Sequence, residues 1–187
     1  MKPLNYILIQ IICLFSGLVH AQNNGRGIYL TSEDFLSHKV TLASKHTRIK
    51  LHEIVNKDVV VIKTKDSTYT YFKDSIFGYQ DNEGNSFRFY NGKIYPIVNP
   101  TETILIYKIS DGPVQKGQTE MYSYFFSKDV YSKILPLKMN YILNEFNNNK
   151  PFTNTLETHF NNTSNLLEYD EMHNVFKINR LLQITKN

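Results

Sequence analysis

Arg88, Tyr90, Lys93 and Tyr95 place cationic and phenolic side chains at alternating positions about the dipeptide Asn91-Gly92. Asn-Gly favours the two-residue hairpin turn whose central residues both take positive φ. That turn pairs Tyr90 with Lys93, Phe89 with Ile94, Arg88 with Tyr95 and Phe87 with Pro96. Arg88, Tyr90, Lys93 and Tyr95 then share one face, and Phe87, Phe89, Ile94 and Pro96 the other. A guanidinium beside a phenol offers a flat stacking surface and several donors for an anionic or hydroxyl-rich partner. We expect this face to be the less buried one. Its four residues are the candidate ligand-binding set.

Other chemistry is weakly marked. His38, His46, His52, His159 and His173 form no HExxH, HxH or cysteine-paired spacing, so no metal site is expected. His159 and His173 fall on neighbouring helical segments and could meet. Asp170, Glu171 and His173 form a tight acidic and imidazole group, but acids near a helix start also serve its dipole. Asp81–Asn85 lacks the ligand alternation of a calcium loop and reads as a turn. There is no GxSxG, no GxGxxG and no phosphate-binding loop, so neither a serine nucleophile nor a nucleotide cofactor is expected. A carboxylate pair brought together only by folding would still permit a small hydrolase acting on an envelope polymer.

The elements that must position these groups read as strands first and helices second. Thr31–Lys39 opens with a capping threonine and acids in the next turn, which predicts a short helical turn. Arg48–Ile54 alternates as a strand does. Val59–Ile62 and Tyr69–Phe72 form a hairpin through Lys65–Thr68. Val60, Ile62, Tyr69 and Tyr71 lie on its buried face, and Lys63, Lys65, Thr68 and Thr70 lie on the wet one, with Val61 and Phe72. Pro96 costs its hairpin nothing but removes a donor on the far side, which predicts an edge or a bulge. Thr103–Ile109 reads as a strand buried on both faces, Ser110–Thr119 as a loop and Met121–Phe126 as a strand. Helical spacing then appears over Leu137–Phe146, Pro151–Phe160 and Leu166–Leu182. The expected fold is α+β: an N-terminal, aromatic-rich antiparallel sheet followed by C-terminal helices packed on it, in one domain over 22–187.

The chain also carries an address. Lys2, the apolar run Tyr6–Val19 and the small residue Ala21 compose a secretory signal over 1–21, with cleavage before Gln22. The apolar run is shorter than the roughly 20 residues a spanning helix needs, so no stable membrane anchor is expected. The lone cysteine, Cys13, lies inside that run and leaves the mature chain without thiol or disulfide chemistry. The formal charge of +4 is spread along the chain with no run of four basic residues, which speaks against a nucleic-acid partner. We read the charge as solubility with a preference for anionic surfaces.

The stretches GIYLTSEDFL (27–36), SIFGYQDNEGNSFRFYNGKIYPI (75–97) and LLEYDEMHNVFKINRLL (166–182) resemble small exported proteins of Bacteroidetes-type bacteria. The resemblance implies an envelope location and no particular catalytic residue. Asp66-Ser67-Thr68 and Asp74-Ser75-Ile76 are similar to the O-glycan acceptor pattern of periplasmic proteins in such bacteria. The expectation is thus a non-enzymatic periplasmic or secreted binding or interaction protein without a cofactor. Its partner would be an envelope protein or a glycan. The alternative is the hydrolase above.

Overall fold

A computed structural model describes residues 25–51, 58–112, 120–160 and 165–185. The signal read over 1–21, the end of the strand reading at 52–54 and most of the loop 110–119 lie outside the described residues. Among the described residues the fold is mixed α+β, with antiparallel sheets and four α-helices, three of them C-terminal.

The strands fall into separate sheets rather than one. The central sheet has the order β2-β1-β6-β7-β8, made of Thr41–Ser44, Arg26–Tyr29, Gly78–Gln80, Ser86–Tyr90 and Lys93–Pro96. An outer sheet joins β3 (Arg48–Lys50), β4 (Val59–Lys63) and β5 (Thr68–Phe72). A third joins β9 (Leu105–Ser110), β10 (Tyr122–Ser127) and β11 (Leu135–Pro136). The helices are α1 (Ser32–Leu36), α2 (Met139–Glu145), α3 (Lys150–His159) and α4 (Lys177–Ile184).

Three apolar clusters bind these layers together. Ile28, Val60, Ile62 and Phe89 pack between the outer and central sheets. Tyr29, Tyr95, Leu105 and Tyr107 pack between the central and third sheets. Ile106, Phe126, Ile142, Phe152, Leu156 and Ile178 pack between the third sheet and the helices. Each such fully buried side chain stabilises by roughly 1.5–3 kcal/mol. β9 alternates its side chains between the last two clusters. Leu105, Ile106 and Tyr107 are therefore all buried, as the unbroken apolar run TILIYKI requires.

Local sequence accounts for most element boundaries. Thr31 Oγ1 accepts the Asp34 N–H at 3.1 Å and caps α1. Asn149 Oδ1 accepts from Phe152 N at 3.2 Å, and Pro151 sits in the first turn of α3. Asn91 and Gly92 take φ of 48° and 70°, and the hairpin register is the expected one, with Arg88 opposite Tyr95. β8 is the last strand of its sheet, which tolerates Pro96. Gly78 has a packing reason: a Cβ there would lie 1.9 Å from the Phe87 carbonyl oxygen.

The helix expected over 166–182 is instead a small hairpin followed by α4. β12 (Tyr169–Asp170) pairs with β13 (Val175–Phe176). The Asp170 carboxylate accepts from the His173 N–H at 3.1 Å, and Asn174 takes φ of 52°. Asp and Asn here offer the backbone a turn that outcompetes the helix. The apolar stripe misleads because Met172, at the tip, is 85% exposed.

α4 is docked onto β9 by polar groups. Asn179 Oδ1 accepts from Ile104 N at 2.8 Å, and its Nδ2 donates to Ile104 O at 2.9 Å. Asn99 Nδ2 also donates to Ile104 O, at 2.8 Å. Beside them the Glu102 carboxylate accepts the Phe176 N–H at 3.2 Å, and partial burial pushes its pKa up.

Candidate functional site

The hairpin set sits differently from expectation. Arg88 and Tyr95 are 6% and 8% exposed, Tyr90 is half-buried and Lys93 is exposed. The cause is the layering: the central sheet has a sheet on each side, so neither of its faces is an outer face. Arg88 Nη1 donates to the Tyr107 hydroxyl at 3.0 Å, and Nη2 donates to Ser132 O at 3.0 Å. Its guanidinium lies over the rings of Phe77 and Tyr90, at 5.3 and 5.5 Å from their centroids. The Tyr107 and Ser127 hydroxyls share a 2.9 Å hydrogen bond. Burial pushes the Tyr107 pKa up, and the Arg88 charge opposes the shift. Among the described residues Arg88 has no carboxylate partner. Its charge is solvated by hydroxyls, a carbonyl and ring faces, which is how a buried cation avoids the full desolvation cost.

His159 and His173 each face a different carboxylate, and His52 lies outside the described residues. His159 faces Glu168 at 3.4 Å, and His173 faces Asp170 at 2.9 Å. Glu171 is exposed on the same turn. No group of three or more metal-ligating side chains occurs among the described residues. Asp81 folds its carboxylate back onto its own turn, accepting from Glu83 N and Asn85 N, both at 2.9 Å. Ser67 and Ser75 are exposed; Ser75 Oγ donates to Phe72 O at 2.7 Å.

Where the central and outer sheets meet, three turns and the start of β1 enclose a recess of about 470 Å³. Five cationic side chains line it: Arg26, Lys45, Arg48, Lys63 and Lys65. His46 and Asn82 complete its polar rim, and among the described residues no carboxylate lines it. Among the described residues none of the five cations is in an ion pair.

Local structure holds these residues in place. At the β1–β2 pairing the register slips between Arg26 and Ile28, a bulge at which Leu42 takes φ of 57°. A leucine in that region is strained and persists only where neighbours over-determine it. Thr47, 2% exposed, does so by donating from Oγ1 to Leu42 O at 2.7 Å. This bond also fixes the turn carrying Lys45 and His46. The β4–β5 turn is closed by Thr64 N donating to Ser67 O at 2.9 Å, with Ser67 N donating to Thr64 Oγ1 at 3.1 Å. Lys65 is thereby held at its tip. Arg48 and Lys63 are direct cross-strand partners, and both are exposed. Like charges placed directly opposite are destabilising, so the outer sheet carries a repulsion that an anion would relieve.

Two further recesses differ in kind. One of about 560 Å³ lies between β10, Pro136–Lys138 and Asn165–Leu167. Another, of about 280 Å³, lies beside Lys128 and Asp129. In the latter the cation is engaged, since Lys128 Nζ donates to Glu145 O at 3.1 Å.

The recess was not legible as a site in the sequence, because its cations come from positions 26, 45, 48, 63 and 65. The available signal was the alternation of Arg48 with Lys50 and of Lys63 with Lys65, which puts each pair on one strand face. No helix among the described residues is long and apolar enough to cross a membrane. No protein-family model matches the chain, and neither a curated protein nor a solved structure matches it.

Proposed function

We propose that the protein is a non-catalytic binding protein working outside the cytoplasm, and that it holds an anionic ligand in the basic recess. The observation that carries this reading is five cations converging on one concavity with no carboxylate among its described lining residues. Free lysines on a solvated face spread apart to lower their mutual repulsion. Here a bulge, two closed turns and a cross-strand pair hold them together, which favours a ligand that supplies the missing charge. The recess volume lies within the range of small-ligand sites. A lining without carboxylates offers binding rather than carboxylate-pair hydrolysis, so this recess gives the hydrolase reading no support.

The test is a nuclear magnetic resonance titration of the mature chain with inorganic phosphate. Amide shifts should move in 45–48, 63–65 and Asn82 and saturate together. A titration that leaves those amides unmoved would remove the site. The location has its own test, since mass spectrometry of the exported protein should find a chain beginning at Gln22. An intact Met1 on a membrane-bound product would contradict it.

A further inference from the structure

Resting on that reading of the recess, we infer that the ligand is a linear acidic glycan that leaves the recess along the outer face of the β3-β4-β5 sheet and ends against Phe72. Register fixes which side chains face outward. Arg48 opposes Lys63, and Lys63 opposes Thr68. Lys50 opposes Val61, and Val61 opposes Thr70. Val59 opposes Phe72. These three rows share one face, because side chains two residues apart on a strand point the same way. The opposite face carries Ile49, Val60, Ile62 and Tyr71 into the apolar cluster beneath.

The outward face therefore changes character along its length. Its first row, beside the recess, holds Arg48, Lys63 and Thr68, its second Lys50, Val61 and Thr70, and its last Val59 and Phe72, which is 67% exposed. Thr68 to Phe72 spans four residues, or about 13 Å. A single small anion would neutralise one end of this track and leave the rest unused. A chain of sugars bearing carboxylate or sulfate groups matches its cations, its two threonines and Phe72. Its anionic groups meet the cations, its hydroxyls meet Thr68 and Thr70, and the apolar face of a ring lies on Phe72. Single-stranded nucleic acid is favoured less, because its binding sites offer aromatic platforms to successive bases. Here the outward face has one.

The experiment compares probes and variants on the mature chain by titration calorimetry. The probes are a galacturonate hexamer, a sulfated hexasaccharide, a neutral glucan hexamer, inorganic phosphate, a single-stranded oligonucleotide and phosphatidylglycerol vesicles. At least one acidic hexasaccharide should bind well above phosphate, and the two acidic probes separate carboxylate from sulfate. The neutral hexamer should not bind. Phe72→Ala should weaken the acidic hexasaccharide roughly tenfold and leave phosphate unchanged, whereas Lys63→Gln should weaken both. If phosphate binds in the recess but the acidic hexasaccharides bind no tighter, or Phe72→Ala changes nothing, the glycan track is wrong and the anion site stands. Tighter binding of the oligonucleotide or of the vesicles also overturns the track. If neither phosphate nor any acidic chain binds, the anion site falls with it.

Discussion

Replacing Lys63 by Gln should make the protein more stable and a worse binder at the same time. Lys63 lies directly across from Arg48 on paired strands, and Lys65 is two residues further along. Two exposed unit charges about 6 Å apart repel by roughly 0.7 kcal/mol in water. Lys65, Lys45 and Arg26 add smaller contributions, cut down by a screening length of about 10 Å at 0.1 M salt. Gln removes the charge and leaves a shorter, neutral polar side chain. The net gain should be about 0.5–1 kcal/mol at low salt, a rise in melting temperature of roughly 1–4 °C for a chain of this size. Thermal melts of wild type and Lys63→Gln at 10 mM and 500 mM sodium chloride would measure it. The gain should be present at low salt and nearly absent at high salt, and phosphate affinity should fall in the variant. A variant less stable than wild type at low salt, or a gain indifferent to salt, would refute the claim that the recess concentrates uncompensated charge.

Three further outcomes test the frame around the site. Gly92→Val should cost on the order of 1–3 kcal/mol, because φ of 70° resists a β-branched residue, while a Cβ there would meet only the Asp58 carboxylate, at an ordinary 3.6 Å; denaturant unfolding reads it. Arg88→Lys should cost about 3 kcal/mol, since an ammonium cannot span both the Tyr107 hydroxyl and Ser132 O, and should leave anion binding intact in the folded fraction. Glu102→Gln tests a titration. The Glu102 pKa is raised by burial, so its contribution to stability is present below the unfolded carboxylate range and is lost as pH rises through the folded value. Melts from pH 4 to pH 7 should show the variant gaining on wild type as pH rises; a constant difference would contradict this.

What could be read from the sequence was what neighbouring residues decide. Asn91-Gly92 set the hairpin and its register, and Thr31 set the start of α1. The alternation of Val59–Ile62 and Tyr69–Phe72 told the inward face of the outer sheet from the outward one, but Tyr69, expected to be buried on the inward face, is 38% exposed. The Arg88 face went astray because alternation separates two faces without saying what covers each. Only the third sheet, arriving from residues 105–136, buries Arg88 and Tyr95. The segment 166–182 failed for the opposite reason: an apolar spacing suited to a helix coexists with Asp170 and Asn174, whose local turn chemistry prevails. The basic recess lay beyond local reading altogether, since no single stretch contains more than a pair of its cations close together.

The most direct test of the anion site is calorimetric titration of wild type and the Arg48→Gln, Lys63→Gln double variant with inorganic phosphate at 20 mM and 200 mM salt. Wild type should bind, its affinity should fall steeply between the two salt concentrations, and the double variant, folded by its melt, should lose most of the affinity at both. Equal affinity in wild type and double variant, or an affinity that does not respond to salt, would contradict it.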